Sequence, residues 1–187
     1  TCGMNTYLMG KTHMKPDLAG MKRLGLEPQS ELGRFLSNAG FSQGEHDDGL
    51  HTIGVAGGYG AGTPAYYDYL RKHGYEAKNP WVTWASAMKD EEGVLRNGMF
   101  LKYGHLPARV DKTHSETAYT TDRAVEMIEH LGHQNWCLHL SYIKPHWPLA
   151  APAPYHQMYR GVDLPKAIKC EAQKQNPHPI YKAFMDL

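Results

Sequence analysis

The chain has 187 residues, 41% of them hydrophobic and 21% charged, with a formal net charge of +1. That length supports one domain with a real core. A charge so near zero gives no field for a polyanion, so composition does not suggest nucleic acid as a partner. The longest apolar runs are far too short to span a bilayer, so a membrane is not suggested either. Cys2, Cys137 and Cys170 are an odd, widely spaced set with no CxxC pair. They indicate neither zinc nor a disulfide framework, and they fit a reducing, cytoplasmic setting, with a periplasmic one as the alternative.

Thr6 to Met9 reads as a short strand ending at Gly10, and Lys11, Thr12, His13 and Met14 follow as a loop. Asp17 to Leu24 reads as a short helix stopped near Gly25. Ser30 is a good N-cap for a helix carrying Leu32, Phe35, Leu36 and Ala39, ended by Gly40. Residues 43 to 63 read as a loop containing His46, Asp47, Asp48, His51 and the glycines Gly57, Gly58, Gly60 and Gly62. Thr63 is then expected to cap, with Pro64 at the first helical position and Tyr66, Tyr67 and Leu70 on an apolar face that ends at Gly74. Trp81, Trp84, Ala85 and Met88 recur at i, i+3, i+4 and i+7, which predicts an amphipathic helix. Residues 90 to 112 read as irregular, with one strand near Gly98 to Tyr103.

Thr113 and Glu116 have the spacing of a capping box. The longest helix follows to about Leu131, with Ala118, Val125, Ile128 and Leu131 on one face and Gly132 as its stop. Trp136 to Ile143 then reads as a buried central strand, with Cys137 an inert core residue. A proline-rich surface segment runs from Ala150 to Pro165, and a last helix begins near Pro179. Helix followed by strand is the α/β pattern, so the expected fold is a central, mixed, mostly parallel sheet flanked by helices. Ile180, Ala183, Phe184 and Leu187 keep helical spacing to the last residue with no stop signal, and a strand starts within the first few residues. The fold therefore reads as incomplete at both ends, the interior of a longer protein.

The apolar run from Trp136 breaks abruptly into Lys144, Pro145, His146, Trp147 and Pro148. The prolines forbid continuation of the strand and fix a loop. His146 thus stands where a strand ends, the edge at which open α/β sheets bind ligands. A cation, Lys144, and a titratable donor, His146, presented there suggest an anion site. Lys11 and His13, two apart in extended backbone after a strand-ending glycine, could hold two oxygens of a tetrahedral anion. Read alone, that tetrapeptide is also a basic surface turn, and His146 also a histidine packed in a proline turn. His46, Asp47, Asp48 and His51 match no strong metal motif and read as a solvated polar loop, so no metal ligand is assigned. The run from Gly57 to Gly62 lacks the Lys-Ser/Thr of a phosphate loop. His114, Ser115 and Glu116 adjoin at a helix start, where capping accounts for them better than a catalytic trio.

A Gly-Lys-x-His loop after a strand, followed at a distance by Pro-His-x-Pro after another, resembles the sulfatase branch of the alkaline phosphatase superfamily. HLPARVDKTHSETAYTTDRAVEMIEHLG and WCLHLSYIKPHWPLAAPAPYHQMY resemble the phosphonate monoester hydrolase group more closely, and YYDYLRKHGYEAKNPW resembles that group's insert. The resemblance implies an alkaline phosphatase/sulfatase-like fold of which residues 1–187 are an internal part, with 43–112 an insert or lid. It implies a hydrolase of phosphonate or phosphate monoesters and diesters, with a sulfatase or a non-catalytic anion-binding relative as alternatives. Lys11, His13 and His146 fall on the family's anion and leaving-group positions, and Thr12 lies in a loop where some phosphonate hydrolases use tyrosine and threonine. The family's divalent cation (Mn, Ca, Mg or Zn) and its formylglycine or hydroxyl nucleophile would be held by residues outside this chain. No Cys/Ser-x-Pro-x-Arg motif, no early Asp-Asp pair after the first strand and no late Asp-His or Asp-Asn pair occurs in it. The implied partners are a small anionic ester and, in the full-length protein, a second copy of itself.

Overall fold

A computed structural model describes residues 3–14, 16–47, 49, 64–166, 168 and 170–185. Its sheet has three parallel strands in the order β2-β1-β5, namely β1 (Asn5–Gly10), β2 (Ser42–His46) and β5 (Trp136–Ser141). Between β1 and β2 the chain forms α1 (Leu18–Arg23) and α2 (Glu31–Ser37), N-capped by Asp17 and Ser30. From β2 to β5 it forms α3 (Ala65–Lys72), the hairpin β3 (Ala87–Lys89) and β4 (Leu95–Asn97), and α4 (Glu116–Leu131). Beyond β5 lie a long irregular run, α5 (Glu171–Gln175) and α6 (Pro179–Met185). The α/β reading with a mostly parallel sheet therefore holds.

β1 is the middle strand, and Leu8 and Met9 are buried. It pairs with β5 without a break from Asn5↔Trp136 to Gly10↔Ser141. β5 is consequently an edge strand of this sheet, half-buried in alternation, and Cys137 is exposed rather than a core residue. The stretch read as a loop from residue 43 begins inside β2. Its sequence, SQGEH, has no β-branched or aromatic residue, so pairing with β1 rather than propensity makes it a strand. Gly44 permits the pairing, since a Cβ there would lie 3.3 Å from the Leu8 carbonyl oxygen.

The main core lies beside the sheet, where α3 meets α4 and the run after β5. Tyr66 and Leu70 are fully buried and pack with Trp81, Met88, Tyr119 and Ile143. Tyr66 rests its ring 5.2 Å from that of Tyr119 and donates its hydroxyl proton to the His114 carbonyl at 2.8 Å. Pro64 is the N-cap of α3 and not its first residue, and Thr63 lies outside the described residues.

The helix predicted over Trp81 to Met88 is one π-turn, Trp81–Ala85. Ser86 returns both its N–H and its hydroxyl to the Trp81 carbonyl, and Met88 then lies in β3. Trp81, Ala85 and Met88 are buried as the periodicity requires, but two kinds of backbone bury them. The strand of this region is β4, and Leu101–Tyr103 is a 3-10 turn. The capping box also fails. Ser115 caps α4, while Thr113 donates its hydroxyl to Asp111. The buried stripe of α4 is Glu116, Tyr119, Thr120, Ala124 and Leu131, with Val125 and Ile128 exposed.

Gly10 has φ +90°, and a Cβ there would sit 2.0 Å from the Ser141 carbonyl oxygen. Gly10→Ala should cost about 2 kcal/mol or more through the left-handed φ and this clash. Urea unfolding measures it, and a loss under about 0.5 kcal/mol, the size of an ordinary surface change, would contradict the account.

Candidate active site

The three strands end on one edge. Past Gly10, the Lys11 N–H takes the Ser141 carbonyl at 2.9 Å, and the Asp47 N–H takes the Gly10 carbonyl at 3.2 Å. The loops after β1, β2 and β5 thus issue side by side. Thr12 bends the first one, its hydroxyl accepting from the Met14 N–H at 3.1 Å. Asp47 is buried and its Oδ1 accepts from the Gly49 N–H at 2.7 Å. After β5, Ile143 is buried and the His146 N–H closes a turn on its carbonyl at 2.9 Å. The buried His46 and Asp47 correct the solvated-loop reading at those two positions, while Asp48, His51 and Gly57 to Gly62 lie outside the described residues.

Lys11 and Lys144 both act electrostatically on one group, which sequence reading assigned to capping. Glu116, the first residue of α4, is only 5% exposed, and its Oε2 has no hydrogen-bond partner among the described residues. Burial pushes its pKa up to about 7, with the Asp47 carboxylate adding to the rise. Lys144, a hydrogen bond from the Ile143 backbone and Lys11 act in the opposite direction. Burial lowers Lys144 to about 8, partly offset by Glu116. The Lys144 ammonium also donates to the Pro148 carbonyl. The signal for Glu116 was present in the sequence: it stands three and four residues before Tyr119 and Thr120, in phase with the buried stripe.

Glu116 and Lys144 both line a cavity of about 580 Å³ between the start of α4 and the run after β5. Lys11, Thr12, His13 and His146 do not line it. His13 and His146 are exposed. The His146 Nδ1 lies 2.9 Å from the Trp147 carbonyl. A carbonyl only accepts, so Nδ1 carries the proton and Nε2 is the basic ring nitrogen. His114 turns away from this edge, with its Nδ1 3.1 Å from the Tyr75 hydroxyl.

Known proteins were compared with this sequence and fold. No family model matches the chain. An 82-residue stretch is 35% identical to the multifunctional alkaline phosphatase superfamily protein PehA of Trinickia caryophylli, covering 43% of this chain and 16% of that protein. The phosphonate monoester hydrolase SpPMH of Silicibacter pomeroyi superposes over 96% of the chain with a TM-score of 0.64 at 23% identity. That of Agrobacterium radiobacter superposes over 97% with a TM-score of 0.60 at 20% identity. The fold is that of the phosphonate monoester hydrolases. The chain spans 32% and 31% of those two structures, about a third of each.

Among the described residues, no three His, Cys, Asp or Glu side chains gather as a metal cage would require. Among the described residues, Glu116 and Asp47 are buried carboxylates near this edge, and Lys11 and Lys144 act on the first of them. This set does not fit a divalent cation by itself, and no chemical step here is routed through one. Among the described residues, no helix is long and apolar enough to cross a membrane.

The two displaced pKa values give opposite pH dependences. Folded Glu116 holds its proton between its ordinary 4.5 and about 7, where the unfolded chain does not, so stability falls as pH rises through that window. Lys144 loses its proton early on folding, so stability rises with pH from about 8 toward 10.5. Glu116→Gln should remove the first slope, roughly 3 kcal/mol across the window. Urea unfolding at several pH values reads it, and an unchanged slope in the variant would refute the assignment.

Proposed function

We propose that this chain is an internal part of a hydrolase of phosphonate or phosphate mono- and diesters and contributes the anion-binding side of its active site. The observation that carries the reading is the Lys11 N–H on the Ser141 carbonyl: the Gly-Lys-x-His loop and the Pro-His-x-Pro loop leave neighbouring, in-register parallel strands. Two separated sequence motifs thereby meet at the ligand-binding end of a sheet. Lys11 and His13 would neutralise non-bridging oxygens as charge shifts in the transition state, with the Thr12 hydroxyl beside them. Lys144 would add a second cation, and His146 would bind or protonate the leaving oxygen. A divalent cation and the nucleophile would be supplied by residues beyond this chain. The site would act on a small anionic ester, in the cytoplasm, within a protein able to pair with its own copy.

Aryl phosphonates, phosphodiesters and sulfate esters, assayed on the protein expressed from the whole open reading frame, test this reading. Phosphonate or phosphodiester turnover should dominate, and a dominant sulfate activity would move the protein to the sulfatases. His146→Ala and Lys11→Ala should each lower kcat/KM by about 10²–10³-fold, as loss of a donor to a developing oxyanion does. Wild-type rates in both variants would remove the anion site from these loops. Residues 1–187 alone should show no metal-dependent turnover, and measurable hydrolysis by that piece would contradict the proposed division of the site.

A further inference from the structure

We infer that the cavity behind the start of α4 binds the alcohol-side organic group of the ester, a group apolar over most of its surface and carrying one hydrogen-bond donor. The inference rests on the hydrolase reading above and adds a substrate class to it.

The cavity's volume of about 580 Å³ is that of a small-molecule site. Trp81, Val110, Leu149, Ala150 and Pro152 give it apolar walls. Its polar wall is the first turn of α4, a helix of 16 residues, together with Lys144 and Lys112. The buried Glu116 stands on that wall with Oε2 unpartnered among the described residues. A buried carboxyl oxygen left without a partner is costly, and a ligand hydroxyl, able to donate to the carboxylate or accept from the carboxylic acid, would relieve it. A second anion would not, because Asp47 already burdens that carboxyl.

Lys144 connects the cavity to the strand-end edge. It lines the cavity, and it acts on Glu116 together with Lys11 from the neighbouring loop. An ammonium has three donors, and one goes to the Pro148 carbonyl. Lys144 follows Ser141, whose carbonyl takes the Lys11 N–H, so an anion held by Lys144 at this strand end would have its organic substituent at the cavity mouth. Apolar walls would take the body of that group, and Glu116 would take its donor.

The test uses the full-length protein and esters of one phosphonate with ethanol, 2-phenylethanol and the three ring-hydroxylated 2-phenylethanols. Their leaving alcohols are nearly equal in acidity, so differences report binding of the organic group. Kd is measured by calorimetry in the slow His146→Ala variant, and turnover in the wild type. The phenylethyl ester should bind about 30-fold tighter than the ethyl ester, the effect of burying one ring. The best hydroxylated isomer should gain about fivefold more over the phenylethyl ester, and Glu116→Ala should abolish that ratio whatever it does to the affinity of all the esters alike. Should that variant not fold, Ala118→Phe, which fills the cavity from α4, should reduce the phenyl preference to under threefold.

Equal Kd values for the ethyl and phenylethyl esters would overturn the inference, whether or not they are hydrolysed. Absence of turnover with the Kd ladder intact would instead overturn the hydrolase reading and leave the cavity as a binding site.

Discussion

At Gly10 the backbone of β1 passes the Ser141 carbonyl so closely that no side chain fits between them. The end of the sheet is built from that contact. The Ser141 carbonyl takes the next N–H, that of Lys11, and the Gly10 carbonyl takes the N–H of Asp47. Three loops are therefore pinned by backbone hydrogen bonds before any side chain acts. Helix α4 lies against β1, and its first residue is the one whose carboxyl reaches the Ile143 backbone. The positions of Lys11, Asp47, Lys144 and Glu116 are thus four consequences of one close passage.

That crowding sets the electrostatics. A carboxyl as buried as Glu116 would lose its charge if nothing opposed burial, and Asp47 pushes it the same way. Two lysines and a backbone N–H draw it back to about 7. The result is a group whose charge is balanced near neutral pH, beside a lysine lowered to about 8. A ligand that brings or removes one charge there changes both groups, because each is part of the other's surroundings. The same balance explains why a structural role for Glu116 is a poor account. A helix-capping carboxylate would be solvated and hydrogen-bonded to its own N-terminus, whereas the cap is the Ser115 hydroxyl on the Ala118 N–H.

Legibility of the fold followed the kind of signal each element carries. Chain punctuation was read in part: Ser30 caps its helix and Gly132, at φ +53°, stops α4, whereas Asp17 caps the helix it was expected to begin and Ser115 replaces Thr113 as the cap of α4. Parallel pairing was not, because β2 is made by its neighbour and has no strand-like sequence. The periodic run from Trp81 located the buried residues and misjudged the backbone, since the Ser86 hydroxyl competes for the Trp81 carbonyl and ends the helix after one turn. At the site, the strand ends before Lys11 and Lys144 were legible because a strand-ending glycine and a proline both mark where a strand stops. Glu116 was not, because Ser/Thr-x-x-Glu offers a local explanation that long-range burial overrides. The solvated-loop reading failed at His46 and Asp47 on burial, which spacing does not encode.

The turn at Ile143 also divides the predicted anion residues into two kinds. In extended backbone Lys144 and His146 would share a side. The His146 N–H instead returns to the Ile143 carbonyl, and Lys144, half-buried, lines the cavity with Glu116 while His146 stays exposed. Under the hydrolase reading these placements suit different work. A buried cation acts in a low effective dielectric, where its attraction for an anion is strong and its proton is poorly exchanged. An exposed imidazole attracts less strongly but regains a proton from solvent after every transfer. Under that reading, Lys144 would serve binding from the inner side of the proline loop and His146 proton delivery from its exposed side.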